Sequence, residues 1–453
     1  MNLDYNSIGI LGFSRRTGLE LLRYLLKYNI DLIVSDSKSE AELADLLSQI
    51  NYEEVEAEIE FDFNSKGEKL LNSELIILSP GVPYDLEVLK KARNNGIETI
   101  SEIEFAYRRS QAEIIAVTGT NGKTTTTELL ASMLSDLEGE DVKVAGNIGI
   151  PFIFIVDQIE KGEKVILELS SFQLEAVKEF RAKIAIYLNY SPDHLDRHHT
   201  EENYKSAKKN IFLNQDQNDF ALINFDDPYL NNLKDELKAE VFGISSKRND
   251  ADLLIKNEKA LFKKENVSLI DYSKVKLPGM HNKENIAFAA LASYLCGQKI
   301  DKIQKAAENY DLQSHRMELI ENDKNYLIID DSKATNPDSA LKAIKSIDRN
   351  LILIAGGQDR NADFSKLASE IKTRVNFLIL VGETSEKIAS YFEETELEFI
   401  IVDSMEEAAE MGAEKLNQDN ALLLSPACPS WDMFNSYKER GDLFKKTVLK
   451  NII

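Results

Sequence analysis

The hydrophobic residues of this chain fall into short runs of aliphatic and β-branched side chains, separated by longer amphipathic segments and polar turns. Runs at 7–11, 31–35 and 75–78 have the length and composition of buried strands, and residues 19–28 place apolar side chains on one face of a helix. Strands that alternate with helices are typical of a parallel, doubly wound sheet, which binds ligands at the carboxyl ends of its strands. The first third of the chain is predicted to form such a sheet.

The loops after the first two of these strands stand where a nucleotide would lie in such a sheet. They read Gly12-Phe13-Ser14 and Asp36-Ser37-Lys38. The dinucleotide fingerprint G-x-G-x-x-G is absent from both. Taken alone, these loops are therefore more typical of plain turns between strand and helix than of a nucleotide site.

The pattern restarts after residue 110 with a second β-branched run, 114–117, followed by a glycine-containing turn. A segment rich in Leu, Ala and Met at 128–137 then predicts a helix. This order is the phosphate-binding arrangement, in which backbone N–H groups and a helix N-terminus point at anionic oxygens. Lys123 can reach the outer phosphates and Thr124 can offer a hydroxyl to Mg²⁺. The common pattern G-x-x-x-x-G-K-[ST] would need glycine where this chain has Val117.

Polar side chains follow the next two predicted strands. Glu168 lies near the end of the run 165–169, where a carboxylate beside a phosphate loop can contact Mg²⁺. The run 184–189 is followed by a segment with two aspartates and three of the chain's five histidines, among them His194. That cluster fits a metal site or a polar loop equally well. The following helix, predicted at 201–212, carries Lys208 and Lys209.

The rest of the central region offers less chemistry. Residues 219–276 alternate strands and turns and are assigned to scaffold. An Ala-rich helix is predicted at 286–296, with Asn285 in its first turn. Asn282 or Asn285 could cap that helix, or one of them could contact a base.

The last third repeats the doubly wound pattern, with strands predicted at 326–329, 351–355, 377–381, 399–402 and 421–424, each followed by a polar loop. We therefore predict an α/β protein of three domains. These are a Rossmann-like N-terminal domain at 1–110, a central P-loop ATPase-like domain with a mainly parallel sheet at 111–312, and a Rossmann-like C-terminal domain at 313–453.

Composition narrows the class of partners. A net charge of −23 argues against general affinity for nucleic acid or anionic membranes, so an anionic substrate must be held by local cations and helix N-termini. The two cysteines suggest neither a disulfide framework nor a metal cluster. With no secretory signal and no membrane-length apolar run, a cytoplasmic protein is expected.

Several motifs in order along nearly the whole chain resemble the Mur ligase family of peptidoglycan synthesis. The matching stretches are Gly119-Thr-Asn-Gly-Lys-Thr, Gly146-Asn-Ile-Gly, Glu168-Leu-Ser-Ser-Phe-Gln-Leu-Glu, Asp193-His-Leu-Asp-Arg-His, His281-Asn, His315-Arg, Asp331-Ser-Lys-Ala-Thr-Asn and Ser425-Pro-Ala-Cys. The shortened phosphate loop is shared by this family and the folylpolyglutamate synthetases. The stretches at 170–175 and 331–336 are similar to those of the family's D-glutamate-adding branch.

The resemblance implies an ATP-dependent amide ligase that adds D-glutamate to UDP-N-acetylmuramoyl-L-alanine through an acyl phosphate. It also implies ATP and Mg²⁺ at two sites, and a monomer is expected. The positions that match the family's catalytic set are Lys123, Glu168, His194 and Lys208, and its metal ligands correspond to Thr124, Glu168, His194 and Lys208. Lys208 matches the lysine that the family carbamylates, although Lys209 leaves that alignment open by one position.

The resemblance also assigns the three substrate sites. The ATP site corresponds to Gly119, Thr120, Asn121, Gly122, Lys123, Thr124, Thr125, Asn285, Arg316 and Asp331. The UDP-substrate site corresponds to Phe13, Ser14, Ser37, Lys38, Gly81, Asn147, Ser170 and Gln173. The D-glutamate site corresponds to Lys333, Thr335, Arg360, Ser430 and Tyr437.

Three departures and two alternatives accompany this interpretation. Arg360 stands where the family often has Lys, Tyr437 stands where it has Phe, and the first loop, residues 12–18, replaces a tighter turn. One alternative is another ligase of the same build, adding glutamate to folate or a different amino acid to the muramoyl peptide. The other is a nucleotide-gated binding module, which would not need the second-metal ligands.

Overall fold

The computed structural model describes residues 5–50, 58–135, 142–277, 279–310, 315–360 and 362–452. The described chain contains three sheets with helices packed on them. Within these ranges no helix is both long enough and apolar enough to cross a lipid bilayer.

The first sheet is parallel throughout and lies within residues 7–101. Its strands are β1 (Ser7–Leu11), β2 (Asp31–Asp36), β3 (Ile59–Phe63), β4 (Leu75–Leu78) and β5 (Glu98–Ser101), and its helices are α1 (Thr17–Leu25), α2 (Glu40–Leu47), α3 (Glu87–Asn94) and α4 (Glu102–Arg109). The strand order is β3-β2-β1-β4-β5. These are the first five positions of the doubly wound order 3-2-1-4-5-6, and the alternation of the sequence predicted such a sheet.

The central sheet has nine strands and contains the phosphate loop. Its strands are β6 (Glu113–Thr118), β7 (Lys143–Gly146), β8 (Lys164–Glu168), β9 (Ile184–Tyr187), β10 (Phe220–Asn224), β11 (Glu240–Ser245), β12 (Leu253–Lys256), β13 (Lys259–Phe262) and β14 (Val267–Asp271). The helices in this part of the chain are α5 (Lys123–Leu134), α6 (Phe152–Ile155), α7 (Ser171–Leu174), α8 (Leu195–His198), α9 (Glu201–Lys209), α10 (Pro228–Leu233), α11 (Met280–Leu295) and α12 (Ile300–Asn309). The order is β14-β13-β12-β11-β10-β9-β6-β8-β7, with only the β12–β14 edge antiparallel. Strand β6 therefore lies between β8 and β9, whose polar ends flank the phosphate loop.

The third sheet is again doubly wound. Its strands are β15 (Glu318–Leu319), β16 (Leu327–Asp330), β17 (Asn350–Ala355), β18 (Val375–Val381), β19 (Glu398–Val402) and β20 (Asn420–Leu424), with helices α13 (Pro337–Ser346), α14 (Ser365–Arg374), α15 (Ser385–Ala389), α16 (Met405–Lys415) and α17 (Tyr437–Asn451). The order is β15-β16-β20-β17-β18-β19, and only β15 is antiparallel. The five strands predicted here are confirmed to within two residues at each end.

Two helix starts were predicted wrongly. Helix α5 begins at Lys123, five residues before the predicted start, because Gly122 takes the left-handed conformation and starts the helix directly. Helix α11 begins at Met280. Asn282 and Asn285 therefore lie inside that helix, so neither caps it, and the alternative that one of them contacts a base stays a prediction.

Packing divides the chain into two compact units. Unit 1 comprises Met1–Tyr190, Glu202–Val275 and Glu284–Asn309, and unit 2 comprises Ser191–Glu201, Lys276–Lys283 and Tyr310–Ile453. Unit 1 holds the first and central sheets, with helices α1 and α4 packed on α6. Unit 2 holds the third sheet, which is covered on both faces by apolar side chains. The predicted limit at residue 110 stays a prediction, and the limit at 312 lies outside the described residues.

Candidate active site

The phosphate loop joins β6 to α5 in unit 1. Its backbone turns sharply at Gly122, where φ is +83°. A Cβ at this position would lie 2.4 Å from Oδ1 of Asn285. Glycine is therefore needed both for the backbone conformation and for the close approach of α11.

The loop is held in shape by hydrogen bonds to its own backbone and to the end of β9. Nζ of Lys123 donates to the carbonyl oxygens of Gly119 and Thr120, at 2.9 and 3.0 Å. The backbone N–H of Asn121 donates to the Asn189 side chain, whose amide donates back to the Asn121 carbonyl. The N-terminus of the twelve-residue α5 follows at once, so a cation and a helix N-terminus meet at the same turn.

Glu168 is buried at the end of β8, next to the phosphate-loop strand, as predicted. Asn147 donates its side-chain amide to Oε1 of Glu168 at 2.7 Å and its backbone N–H to the Glu168 carbonyl. A Cβ on Gly146 would come within 2.4 Å of that carbonyl, so glycine permits the contact. Oε2 of Glu168 is buried and has no hydrogen-bond partner within the described part of the chain.

The structure distinguishes the two candidate lysines on α9. Lys208 is 1% exposed and donates from Nζ to the carbonyl oxygen of Gly119 at 2.8 Å. Its Nζ also lies 4.9 Å from the ring centroid of Tyr204. Lys209 instead pairs with Glu236 at the surface. Lys208 is thus the lysine that reaches the phosphate loop.

His194 belongs to unit 2, where it adopts a left-handed backbone conformation with φ of +53°. Its Nδ1 lies 3.2 Å from Nη1 of Arg360, and its neighbour Asp193 accepts a hydrogen bond from Asn336 at 3.3 Å. These residues line a cavity of about 250 Å³, together with Thr335 and others. That volume lies just below the roughly 300–1,000 Å³ typical of sites for drug-sized ligands.

Arg316 and Asp331, the candidates for phosphate and ribose, also lie in unit 2. Asp331 is buried, and this burial raises the pKa of its carboxyl to about 7. Ser425 donates to its Oδ2 at 2.9 Å and the backbone N–H of Met317 approaches Oδ1 at 3.3 Å. The turn that carries Arg316 is thereby tied to the end of β16.

The five D-glutamate candidates fall into separate groups within unit 2. Thr335 and Arg360 line the cavity beside His194. Nζ of Lys333 lies 5.6 Å from the ring centroid of Tyr437, which packs edge-on against His315. Ser430 is buried and does not line that cavity.

The UDP-substrate candidates are in unit 1, and several are engaged locally. Ser14 accepts hydrogen bonds from the first turn of α1, and Ser170 and Gln173 form a capping box on α7. The Phe13 side chain is buried in the core, and its N–H donates to Asp36. Exposed positions at the carboxyl ends of the strands are Ser37, Lys38 and Gly81.

Sequence reasoning missed two arginines. Arg16, in the atypical first loop, donates at 2.7 Å to the carbonyl oxygens of both Gly146 and Asn147. Arg440 is buried and donates to the carbonyl oxygens of Ser332 and Cys428. The pair Arg15-Arg16 inside a glycine-bounded loop was a signal for the first, whereas Arg440 looked like an ordinary helix residue.

Comparison with known proteins gives consistent family matches along the chain. The Mur ligase MurD-like N-terminal domain matches residues 6–101, the Mur ligase middle domain matches 117–293, and the Mur ligase glutamate ligase domain matches 315–428. The UDP-N-acetylmuramoylalanine–D-glutamate ligase of Caldanaerobacter subterraneus subsp. tengcongensis is 40% identical over 437 residues, covering 96% of each chain. The enzyme of the same name from Clostridioides difficile is 37% identical over 452 residues, covering 99% of each.

Solved structures share the fold at lower identity. A pseudomurein peptide ligase type C from Methanothermus fervidus has a TM-score of 0.62 at 18% identity, covering 97% of this chain and 99% of that one. The UDP-N-acetylmuramate-alanine ligase MurC from Thermotoga maritima has a TM-score of 0.58 at 17% identity, covering 97% and 98%. The three domain matches and the full-length relatives confirm the resemblance of the motifs: this chain belongs to the Mur ligase family.

Proposed function

We propose that the protein is an ATP-dependent ligase that joins D-glutamate to UDP-N-acetylmuramoyl-L-alanine in peptidoglycan precursor synthesis. The observation that carries this proposal is the phosphate loop of unit 1, where Lys123 and Lys208 both donate to the Gly119 carbonyl and the buried Glu168 ends the neighbouring strand. Relatives that are 37–40% identical over nearly the whole chain bear the name of this activity. A cytoplasmic location and a monomeric state stay predictions.

The chemistry requires activation of a carboxylate. A carboxylate oxygen of the muramoyl-alanine attacks the γ-phosphorus of ATP, and the bond from that phosphorus to the β–γ bridging oxygen breaks to release ADP. The amine of D-glutamate then attacks the acyl-phosphate carbon, loses a proton and expels inorganic phosphate. Two anions must meet in the first step, so the protein's contribution is positioning and charge neutralisation.

ATP would be held by the turn at 119–125. Backbone N–H groups and the N-terminus of α5 suit the phosphates, and Lys123 would leave its present carbonyl partners for the β- and γ-oxygens. Asn285 packs against this turn in unit 1 and would contact the adenine. The resemblance assigns Arg316 and Asp331 to phosphate and ribose, and that assignment stays a prediction.

The residues present suit Mg²⁺, which prefers oxygen ligands. Glu168 offers a buried carboxylate oxygen that has no partner among the described residues, and burying such a group is unfavourable unless it is compensated. Glu168 and Thr124 of unit 1 would hold one ion. His194 and Lys208 match ligand positions of a second ion in the family, and that assignment stays a prediction. When bound, Mg²⁺ neutralises charge on the phosphates.

We further propose that Lys208 is carbamylated. The carbamate converts a buried cation into an oxygen-donor anion, while the remaining N–H can still donate to Gly119. Labelling with ¹³C-bicarbonate should give a carbamate NMR signal in the wild-type protein and in Lys209→Ala, and none in Lys208→Ala. An unlabelled wild-type protein under metal-loaded conditions would contradict this part of the proposal.

The amino acid would bind at the cavity of unit 2. Arg360 offers a planar N–H fork suited to a carboxylate, and Thr335 contributes a hydroxyl to the same cavity. Lys333, Ser430 and Tyr437 complete the proposed site.

The UDP substrate would bind in unit 1 at the loops after β1, β2 and β4 and at Asn147. Phe13 and Ser14 would act through their backbone, since both side chains are engaged within the first domain. Ser37, Lys38 and Gly81 lie exposed at the strand ends. Ser170 and Gln173 would line the muramoyl path from the start of α7.

A substrate panel tests the function. Phosphate release from ATP should require both UDP-N-acetylmuramoyl-L-alanine and D-glutamate, and Lys123→Ala should abolish it while Lys209→Ala retains it. Glu168→Ala and His194→Ala should also abolish product. Release with a folate, or with a longer muramoyl peptide, in place of the named substrate would overturn the proposal.

A further inference from the structure

The cavity beside His194 is lined by more acidic than basic side chains. Its acidic residues are Asp193, Glu201, Asp338 and Asp363, whereas its lysine and arginine side chains are Arg360 and Lys366. To bind a carboxylate ligand, this cavity therefore needs a cationic side chain that is not already paired with one of those acidic residues. Arg360 is the cation beside His194.

The backbone around Arg360 is fixed by neighbouring loops of unit 2. The N–H of Gln358 donates to the carbonyl of Pro429 at 3.0 Å. Asp359 pairs with Lys387 at 3.0 Å, and its N–H donates to Glu383. These contacts fix the position of the Arg360 Cα, from which the side chain extends.

The guanidinium end of that side chain packs against a tryptophan. The guanidinium carbon of Arg360 lies 4.8 Å from the ring centroid of Trp431. The indole is 64% exposed, which is unusual for so large an apolar group. Its backbone is fixed in a turn, because the carbonyl of Ser430 accepts the N–H groups of Met433 and Phe434. Burial in the core therefore does not explain the position of this ring.

We propose that Trp431 is a positioning residue that orients Arg360 for the carboxylate of the amino-acid substrate, a role that rests on the proposed function. A ring face attracts the cation without consuming its in-plane N–H donors, whereas a carboxylate partner would compete with the substrate for them. Arginine stacks on aromatic rings by its flat face, which gives a physical reason for Arg360 where the family often has lysine.

Steady-state kinetics test this role. A cation–π contact at an exposed site contributes about 0.5–1 kcal/mol, so Trp431→Leu should raise the KM for D-glutamate about 2- to 5-fold. The kcat and the KM values for ATP and the UDP substrate should stay within about 2-fold of wild type. Trp431→Phe should fall between the two proteins, because phenylalanine keeps a ring of weaker attraction. Met433→Ala, an exposed side chain in the same turn, is the matched control.

A double-mutant cycle separates positioning from general loop damage. In an Arg360→Met background, Trp431→Leu should produce no further rise in KM, since no guanidinium remains to be oriented. An equal rise in both backgrounds, or an equal effect of Met433→Ala, would overturn the proposal.

The chain contains one tryptophan, so its fluorescence reports this contact directly. Adding D-glutamate, in the presence of the UDP substrate and a non-hydrolysable ATP analogue, should change the emission of the wild-type protein and not that of Arg360→Met. If D-glutamate fails to support phosphate release while another amino acid does, the proposed function fails, and the same titration is then run with that amino acid. Normal turnover with D-glutamate and an unchanged KM in Trp431→Leu would instead refute the role of Trp431 alone.

Discussion

Replacement of Gly122 by alanine tests the geometry of the phosphate loop most directly. The backbone at this position has φ of +83°, and the new Cβ would lie 2.4 Å from Oδ1 of Asn285. The substitution therefore combines backbone strain with a steric overlap between the loop and α11. A control with the same strain and no overlap can separate the two.

Gly162 provides that control. Its φ is also +83°, and among the described residues, its two chain neighbours apart, no heavy atom lies within 4 Å of its added Cβ. A left-handed non-glycine residue costs roughly 1–2 kcal/mol, offset by about 0.4–1 kcal/mol because alanine restricts the unfolded chain. Gly162→Ala should therefore lower the free energy of unfolding by about 1.6 kcal/mol or less. Moving Asn285 aside adds the cost of overpacking, about 1–3 kcal/mol, so Gly122→Ala should lose roughly 1–4.6 kcal/mol, and more than Gly162→Ala.

Urea unfolding followed by circular dichroism measures this difference, and calorimetric titration with ATP measures its consequence. We expect ATP to bind at least about tenfold more weakly to Gly122→Ala, because the N–H groups of the turn shift with the helix start. Gly162→Ala should bind ATP as the wild type does. In the double variant Gly122→Ala/Asn285→Ala, part of the stability should return, because the overlap is removed.

Equal destabilisation by the two glycine substitutions would refute this reasoning, since it would mean that the contact with Asn285 costs nothing. Unchanged ATP affinity in Gly122→Ala would likewise show that the turn does not hold the phosphates.

Further predictions concern buried charge. Burial raises the pKa of Asp331 and of Glu102 to about 7. Between pH 4 and 7 the folded chain therefore keeps protons that the unfolded chain has released. The free energy of unfolding should fall as pH rises through that window. Asp331→Asn and Glu102→Gln should each reduce the slope of unfolding free energy against pH by up to about 1.4 kcal/mol per pH unit. An unchanged slope, measured by urea unfolding between pH 5 and 7, would contradict the assignment. Arg440→Met should destabilise the protein by about 3 kcal/mol or more in guanidinium unfolding, because two buried carbonyl groups lose their charged donor. As a control, Lys438→Met at an exposed position on the same helix should change stability by less than about 0.5 kcal/mol.

Much of the strand framework could be read from the sequence. Strands β1 and β4 were predicted residue for residue, since strands buried on both faces of a parallel sheet are continuous apolar runs. The loop at 119–124 and the position of Glu168 also followed from local order, because the carboxyl ends of neighbouring parallel strands lie at the same edge of a sheet.

Helix starts were harder to predict than strands. The start of α5 lies at a left-handed glycine and not at a Ser, Thr, Asp or Asn cap, so the usual sequence signal was absent. The sequence also did not determine which side of a helix faces the rest of the protein. Successive residues point about 100° apart, since a turn takes about 3.6 residues, and only the packing of α9 decided that Lys208, and not Lys209, reaches Gly119.

The sequence by itself determined the doubly wound sheets, the phosphate-binding turn and the family of the chain, because each of these depends on residues close together or on motifs in a fixed order. Only the tertiary structure decided which distant side chains meet. Arg16 contacts Asn147 across 131 residues and Arg440 contacts Ser332 across 108, while Trp431 packs on Arg360. Such contacts depend on how helices and loops pack around the sheets, and no local pattern of hydrophobic and polar residues encodes that geometry.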